Sequence, residues 1–496
     1  MSKSNSFVKN LKNINKSINS LLEENLNKLK FDNLINLVRS NKIVLTIVAL
    51  SFLFLLYLLV PTFYKQTEIS RELKKELYKT LNLNINFPEN LKYNFFPRPH
   101  FISRNSSIIY DQNKISEIEE MAIYVSLENL FSLKNLQINE VIIKDANFNF
   151  NKNNSNFFIK LLENNFLDNK LKIQNSNVFF RNIGDEVLFI NKIINMEYYY
   201  EPNELKNIIY SENEIFNTPY DIKLYHNKEE KKYYSKLNLS FLNLKIQNQY
   251  NYGNEIKDGT ATFYYNKSKS IVNYKKNKNL FEFNLFDKSE DPNFFYEGKI
   301  NLKPFYSNFQ GKAEELNLSY LFDPYAIIPQ LLKTEIFNNK NIEFKLNINA
   351  DKISNFNSFI NMILNAKIQE GLVDIDNTSF KWKDYASFKF IDSLIYVKNG
   401  ELFLDGKSQI IINDYNSIYK FLITPKNFRK KIKTINLNYI YNFDQKIVKI
   451  EDIKIDNVFN EKVNKIINNI DIKNNDLQNK IFLKNLVNEA IKNYAG

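Results

Sequence analysis

The chain has 496 residues, is 44% hydrophobic and 25% charged, and carries a formal net charge of +12, a composition that folds and a length sufficient for two or three domains. It lacks cysteine and has only two histidines, His100 and His226, which excludes disulfides, thiol nucleophiles and Cys-ligated metals and argues against a metalloenzyme. Basic residues alternate with Asn and acidic residues throughout instead of clustering on one element, so no nucleic-acid partner is expected.

In chain order, Val8, Leu11, Ile14, Ile18, Leu21, Leu22, Leu26 and Leu29 fall at steps of mostly three and four. They lay one apolar face along a tail helix, suited to a membrane surface or a partner helix. Ile43 to Val60 (IVLTIVALSFLFLLYLLV) is eighteen residues without a charge, extended by Pro61 to Tyr64. At about 1.5 Å per residue the stretch covers about 33 Å, enough for a hydrocarbon core of about 30 Å. Forty-two residues precede it and no A-x-A site follows, so it reads as an anchor and not as a cleaved signal. Lys/Arg are nearly balanced on its two flanks, and the long C-terminal part is expected on the far side of the membrane from a cytoplasmic N-terminus.

Thr67 to Leu83 reads as a helix, with Ile69, Leu73, Leu77 and Leu81 at i+4 steps. The period then becomes two. Ala146, Phe148 and Phe150; Leu237, Leu239 and Phe241; Ile342, Phe344, Leu346 and Ile348; and Ile435, Leu437, Tyr439, Tyr441 and Phe443 each alternate with mostly polar neighbours. Such strands have one apolar and one polar face. Pro324 and Pro329 interrupt them, and helical spacing returns from Glu461 with a linker near 471–476. The expected organisation is a cytoplasmic amphipathic tail (1–42), a transmembrane helix (43–64), a first β-rich unit with a leading helix (66–320), a helical or irregular connector (321–340), a second β-rich unit (341–460) and a C-terminal helical segment (461–496). Leu171 to Asn182 aligns without gaps on Ala366 to Asn377, which predicts two halves built from similar strand units.

Catalytic motifs are sparse. Gly400 to Ser408 has one residue too many for a phosphate loop and an interior of Leu402, Phe403 and Leu404, so it reads as a strand ending in an Asp-Gly turn. Asp374 and Asp376 have a spacing that could hold a cation but read as a solvated strand face, His100 as a surface or loop residue, and Trp382 as a core or rim aromatic. No metal site and no cofactor is expected.

Several segments carry a family resemblance. The anchor is followed by a helix ending Lys79-Thr80-Leu81, then by Phe95-Phe96-Pro97-Arg98-Pro99-His100-Phe101. Ile115 to Phe150 has a short helical step, Leu130-Phe131-Ser132-Leu133, leading into strands. Trp382-Lys383-Asp384 and Val397 to Gly406 look like a terminal β-unit. The pattern resembles the AsmA family of bacterial envelope proteins over most of residues 43–460, departing from it in the long tail and the shortage of glycine. The resemblance implies an inner-membrane anchor, a periplasmic β-trough related to chorein-type lipid-transfer proteins, and a role in outer-membrane assembly or phospholipid movement.

The expected fold is therefore mainly β with a single N-terminal transmembrane helix, its long curved antiparallel sheet forming a trough with a few flanking helices. The expected function is non-enzymatic: an inner-membrane protein whose periplasmic groove holds phospholipid acyl chains. Phe148, Phe150, Phe344, Leu346, Ile348, Leu437 and Tyr439 are the expected lipid contacts. The rival readings are a scaffold that binds other envelope proteins through a strand edge or its tail helix, and an enzyme with a carboxylate site.

Overall fold

A computed structural model describes residues 42–495, apart from 89–90, 129, 152, 155, 159, 161–168, 182–184, 204–205, 228, 254–256, 266, 278–279, 287–294, 303–304, 319–321, 335, 341, 357, 468–470 and 474–478. The expected tail helix falls outside the described residues. Helix α1 (Lys42–Leu59) runs into one 3₁₀ turn, Val60–Phe63. Its stretch Leu45–Phe63 is long and apolar enough to cross a membrane. From Ile43 to Leu56 its large apolar side chains are 46–70% exposed, so this is no core helix of the β domain.

Helix α2 (Gln66–Leu81) follows at once. Ile69, Leu73, Leu77 and Leu81 are buried to 2% exposure or less, each contributing about 1.5–3 kcal/mol by leaving water. The helix ends two residues before the sequence spacing predicts, because Asn82 adopts the left-handed conformation (φ 54°). The Asn82 N–H then reaches Tyr78 O (3.0 Å) and the Leu83 N–H reaches Leu77 O (3.3 Å), closing the helix as an αL cap does.

Among the described residues 27 strands join into one sheet. Strands β1 (Ile85–Asn86) and β2 (Lys92–Asn94) lie against β3 (His100–Tyr110). β4 (Asn113–Lys114), β5 (Ser116–Val125) and β6 (Ile138–Phe150) continue it. β7 (Lys170–Arg181) joins β6 in parallel. A long antiparallel meander follows: β8 (Val187–Glu201), β9 (Lys206–Ile215), β10 (Thr218–Asn227), β11 (Lys232–Leu239) and β12 (Leu244–Asn251). It runs on through β13 (Lys257–Tyr265), β14 (Ser268–Asn277), β15 (Leu280–Phe286), β16 (Phe295–Leu302) and β17 (Phe305–Leu316).

A second crossover carries α3 (Ile327–Lys333) and brings β18 (Ile342–Ile353) parallel to β17. β19 (Phe359–Gln369) pairs with both β20 (Leu372–Asp374) and β21 (Ser379–Trp382), and these with β22 (Ala386–Lys398). β23 (Glu401–Ile412), α4 (Tyr415–Leu422), β24 (Thr434–Asn442) and β25 (Ile447–Ile455) complete the run. β26 (Val458–Phe459) and β27 (Asp471–Lys473) both pair with β25, around α5 (Glu461–Ile467), and α6 (Lys480–Ala495) closes the chain. Part of the expected linker near 471–476 is thus a strand.

Three expectations are corrected. The sheet is not antiparallel throughout: β6/β7 and β17/β18 are parallel joints, each made by a crossover that returns the chain to the same end. The aligned repeat also fails. Leu171 to Arg181 is one unbroken strand, whereas 366–377 ends β19, turns at Glu370-Gly371 and contains β20. Asp374 closes β20 and Asp376 lies beyond it, so these two do not share a strand face as expected.

The strands also carry a row of bends. Asn105 (φ 52°), Asp145 (φ 52°) and Asn175 (φ 47°) are left-handed inside β3, β6 and β7. The pairs flanking them place them in one line across the sheet. There the alternation slips by one residue: Ile118 and Met121, Ile143 and Ala146, Ile173 and Ser176 are all buried although each pair is three apart. Asn and Asp tolerate this conformation better than other side chains do, and a bulge of this kind bends the strand. A buried serine restores the lost ladder bonds: Ser176 Oγ accepts the Ala146 N–H (3.0 Å) and donates to Gln174 O (2.8 Å). In β22, Asp392 (φ 47°) precedes Ser393, whose Oγ accepts the Lys407 N–H at 3.0 Å.

Replacing Ser393 with Ala leaves the Lys407 N–H without that acceptor and is expected to lower stability by about 1–3 kcal/mol. Chemical denaturation of the full chain in detergent micelles measures it. An unchanged midpoint would show that the serine does not substitute for the ladder.

Candidate functional site

Residues directly opposed across a strand pair point to the same face, as do residues two apart on an undistorted strand. Phe148 opposes Val178, Val178 opposes Asn191, and Asn191 opposes Ile215, which opposes Thr218. The same face continues through Ile222, Leu237, Ile246 and Phe263. It then passes through Phe283, Gly298 and Phe309 to Leu346. From there Ala366, Ile368, Val373, Ile395 and Leu404 lead to Tyr441. The structure therefore brings Phe148, Phe150, Phe344, Leu346, Ile348, Leu437 and Tyr439 onto one inward face of the sheet.

They are not equally open. Phe148 and Ile348 are each only 4% exposed and belong to cores closed by the chain itself. Phe150 is packed against Phe158 and Phe180, with Phe180 stacked on Phe189 at 4.3 Å. Phe344 lies between Phe309 and the edge of Phe337, and Tyr439 covers Gly406, where an added Cβ would sit 2.5 Å from the ring. Asp405-Gly406 is thus the interior of β23 and not the turn that the sequence suggested; the turn is Asn399-Gly400, with Gly400 at φ 78°.

The two ends of the sheet have lids of their own. The leucines of α2 cover the first strands, and α3 with Phe337 covers part of the last ones. Between them, among the described residues, no core cluster includes any residue of β11 to β15. There Leu237, Ile246, Phe263, Val272 and Phe283 point inward and stay half-buried, while Lys236, Lys245, Gln247, Asn273 and Glu282 are exposed on the other side. Sequence reasoning noted this alternation in β11 and assigned the site to its more heavily covered neighbours.

A pocket of about 410 Å³ lies on this stretch, its wall running from Tyr198 on β8 and Ile209 on β9 to Tyr274 and Lys276 on β14 and Phe281 on β15. The lining draws on seven strands between β8 and β15. Asn339, in the second crossover, also donates to Leu188 O on β8. Burial pushes the Tyr198, Tyr250 and Tyr274 hydroxyls up from their usual range. A larger cavity, about 550 Å³, sits at the ends of β3, β6 and β7 and is lined mainly by polar groups. Its Arg181 is committed to Asn149 Oδ1 (2.8 Å) and Asp185 O (2.6 Å).

The residues singled out for chemistry have structural partners. Asp374 Oδ1 accepts the Asp376 N–H and Asp376 Oδ1 accepts the Ser393 N–H, both at 2.8 Å. His100 is not a loop residue: it opens β3, 6% exposed, with Nδ1 2.7 Å from Arg98 O and its ring stacked on Tyr124. Trp382 packs edge-on to Tyr385 and Phe421.

The helix end meets the sheet at one place. Tyr93 Oη donates to Leu58 O (2.7 Å), Tyr57 Oη donates to Leu127 O, and the Leu130 N–H donates to Tyr57 Oη (3.3 Å). The Val125 N–H bonds Pro99 O (3.0 Å), setting the 95–99 turn beside the 126–137 loop. Around this junction Phe63 (83%), Phe96 (80%) and Phe131 (68%) are exposed. Arg98, from the same turn, pairs with Glu140, which Lys172 also reaches at 3.3 Å while pairing with Glu197 at 3.2 Å.

The chain matches no protein-family model and no curated protein.

Burial alone would raise the Glu140 carboxyl, but its bonds to Arg98 and Lys172 hold it below the usual carboxylate range. A carboxyl depressed in the folded state adds stability that is present above its unfolded pKa, about 4.3, and is lost as pH falls through the folded value. Unfolding midpoints of the full chain measured from pH 7 down to pH 3 should fall less steeply in Glu140→Gln than in the unaltered protein, with the difference confined below about pH 4.5. Parallel curves would remove Glu140 from the acid response.

Proposed function

We propose that the protein is a non-enzymatic, membrane-anchored lipid carrier of AsmA type, its helix α1 in the bacterial inner membrane and its sheet in the periplasm. The bent sheet acts as a trough, and lipid acyl chains lie on its inward face between β10 and β16. One observation carries this reading: over β11 to β15 the inward face presents half-buried Leu237, Ile246, Phe263, Val272 and Phe283, and among the described residues no core cluster covers them. An apolar face left without cover marks a binding surface. Half-buried leucine, isoleucine, valine and phenylalanine make the non-directional contacts that acyl chains need, and carriage requires no bond to form or break. The closed cores at either end act as walls, and the site lies where they stop.

The anchor fits the same reading. Phe63, Phe96 and Phe131 ring the point where α1 joins the sheet; aromatic residues at such a junction occupy the interfacial layer of a bilayer. The trough's first strands would then rest on the membrane surface.

Two experiments test these parts separately. A photo-crosslinking amino acid placed at Leu237, on the inward face, should capture lipid in intact membranes, and the same group at Lys236, on the outward face, should capture far less. Equal capture at both, or none at Leu237, sinks the carrier. For the junction, tryptophan placed at Phe96 or Phe131 in a Trp382→Phe background should be quenched by brominated lipids in reconstituted vesicles, whereas tryptophan at Phe356, which is 57% exposed, should not. Unquenched Phe96→Trp and Phe131→Trp would lift the sheet off the bilayer.

A further inference from the structure

The inward face of β10 to β15 changes character along the strands. In the row at one end Lys257 opposes Lys276, which opposes Phe281. The next row is His226, Tyr233, Tyr250, Gly259 and Tyr274. Next come Leu224, Ser235, Asn248, Ala261 and Val272, with Asn248 Oδ1 accepting from the Tyr274 hydroxyl at 2.8 Å, and then Ile222, Leu237, Ile246 and Phe263. Cation, then phenol and imidazole, then hydrocarbon: this is the order of groups along an amphiphile. From Lys276 to Ser270, beside Phe263, six residues of strand span about 20 Å at about 3.4 Å each. One leaflet's acyl layer is about 15 Å deep, half of the bilayer's hydrocarbon core.

Lys276 lies on the inward face and is half-buried. Elsewhere Lys172, Lys299, Lys333, Lys345 and Lys407 are paired with carboxylates. Lys276 is half-buried in the wall of the pocket, with its Nζ 5.5 Å from the Phe281 ring centre and 6.0 Å from that of Tyr250. Among the described residues no Asp or Glu forms an ion pair with it or with Lys257. Burial, and then the neighbouring Lys257, pull its pKa down from the usual range. A partly desolvated cation without a counter-charge is unfavourable, and an anion delivered by an occupant relieves it. Lysine serves that role as a compact point charge.

Building on the carrier reading, we infer that the pocket between β8 and β15 is a selectivity site for amphiphiles with a net negative head. The carboxylate of a fatty acid or the phosphate of an anionic phospholipid sits at Lys276 and Lys257. The chains run past the tyrosine row to Leu237, Ile246 and Phe263.

Binding of fluorescent phosphatidylglycerol and phosphatidylcholine, and of palmitate and its methyl ester, to the full chain in detergent micelles tests this. The unaltered protein should favour the anionic member of at least one pair by about tenfold. Which pair is discriminated tells whether a phospholipid or a free fatty acid is the cargo. Lys276→Met should bring the ratio close to one, and Lys276→Arg should keep it. No discrimination in the unaltered protein, or a ratio that survives Lys276→Met, overturns the assignment while leaving a charge-blind carrier standing. Failure to bind any of the four probes defeats the carrier reading itself. The two failures are thus distinct, and the unaltered protein's ratio stands as a test even if the methionine variant folds poorly.

Discussion

Everything in this fold follows from one constraint on a single-layered sheet. Each strand satisfies its backbone by pairing with the next, so the ladder can be extended without limit, but every added strand also adds a strip of apolar side chains that must be hidden. Hiding them takes a second layer, and among the described residues the core clusters that include helices lie toward the two ends of the sheet. Helix α2 covers the first strands, and α3, α5 and α6 serve parts of the last ones. The middle has the same alternation with nothing comparable above it. In the trough proposed above, a curved sheet turns its apolar face toward itself and shields it in part, and the half-burial of Leu237, Ile246 and Phe263 fits that proposal.

The bends are local chemistry. A glycine-poor chain needs other residues for left-handed backbone, and Asn and Asp supply it at the strand bends Asn105, Asp145, Asn175 and Asp392, with buried serines carrying hydrogen bonds that the bends remove. The few strand glycines have a different task. At Gly259, Gly298, Gly311 and Gly406 the facing aromatic ring lies over the backbone where a Cβ would be. Rings folded over glycine in this way thin the inward face at chosen rows and keep it apolar. The same sheet thus has two devices, one that curves it and one that sets how far its side chains project.

Much of this was legible from residue order. Helix α1 reads from an unbroken apolar run and α2 from its i+4 leucines, and the strands read from period two, because each signal is local. The two parallel joints were not legible, since strand direction depends on which end a crossover returns to. The bends were missed because Asn and Asp inside a strand look like ordinary polar-face residues or turns. For the site, alternation correctly put all the expected contacts on one face. It could not tell which of them the chain would cover, and Phe148 and Ile348 are covered by elements distant in sequence. Lys276 was overlooked because the Lys275-Lys276 pair reads as solvated charge; its parity with Val272 and Tyr274 was the signal that it faces inward.

The outward face makes the contrast that gives the inward one its meaning. Across β6 to β8, Glu140, Lys172 and Glu197 form a ladder of alternating charge, tied through Arg98 to the turn beside α1. Those charges are mutually compensated. On the inward face, among the described residues, the balance is left open twice, once in apolar area over β11 to β15 and once in charge at Lys276. Either deficit alone has ordinary explanations, since surfaces expose leucines and lysines freely. Lying about 20 Å apart or less along the same strands, cation at one end and hydrocarbon at the other, they are complementary to a single kind of molecule.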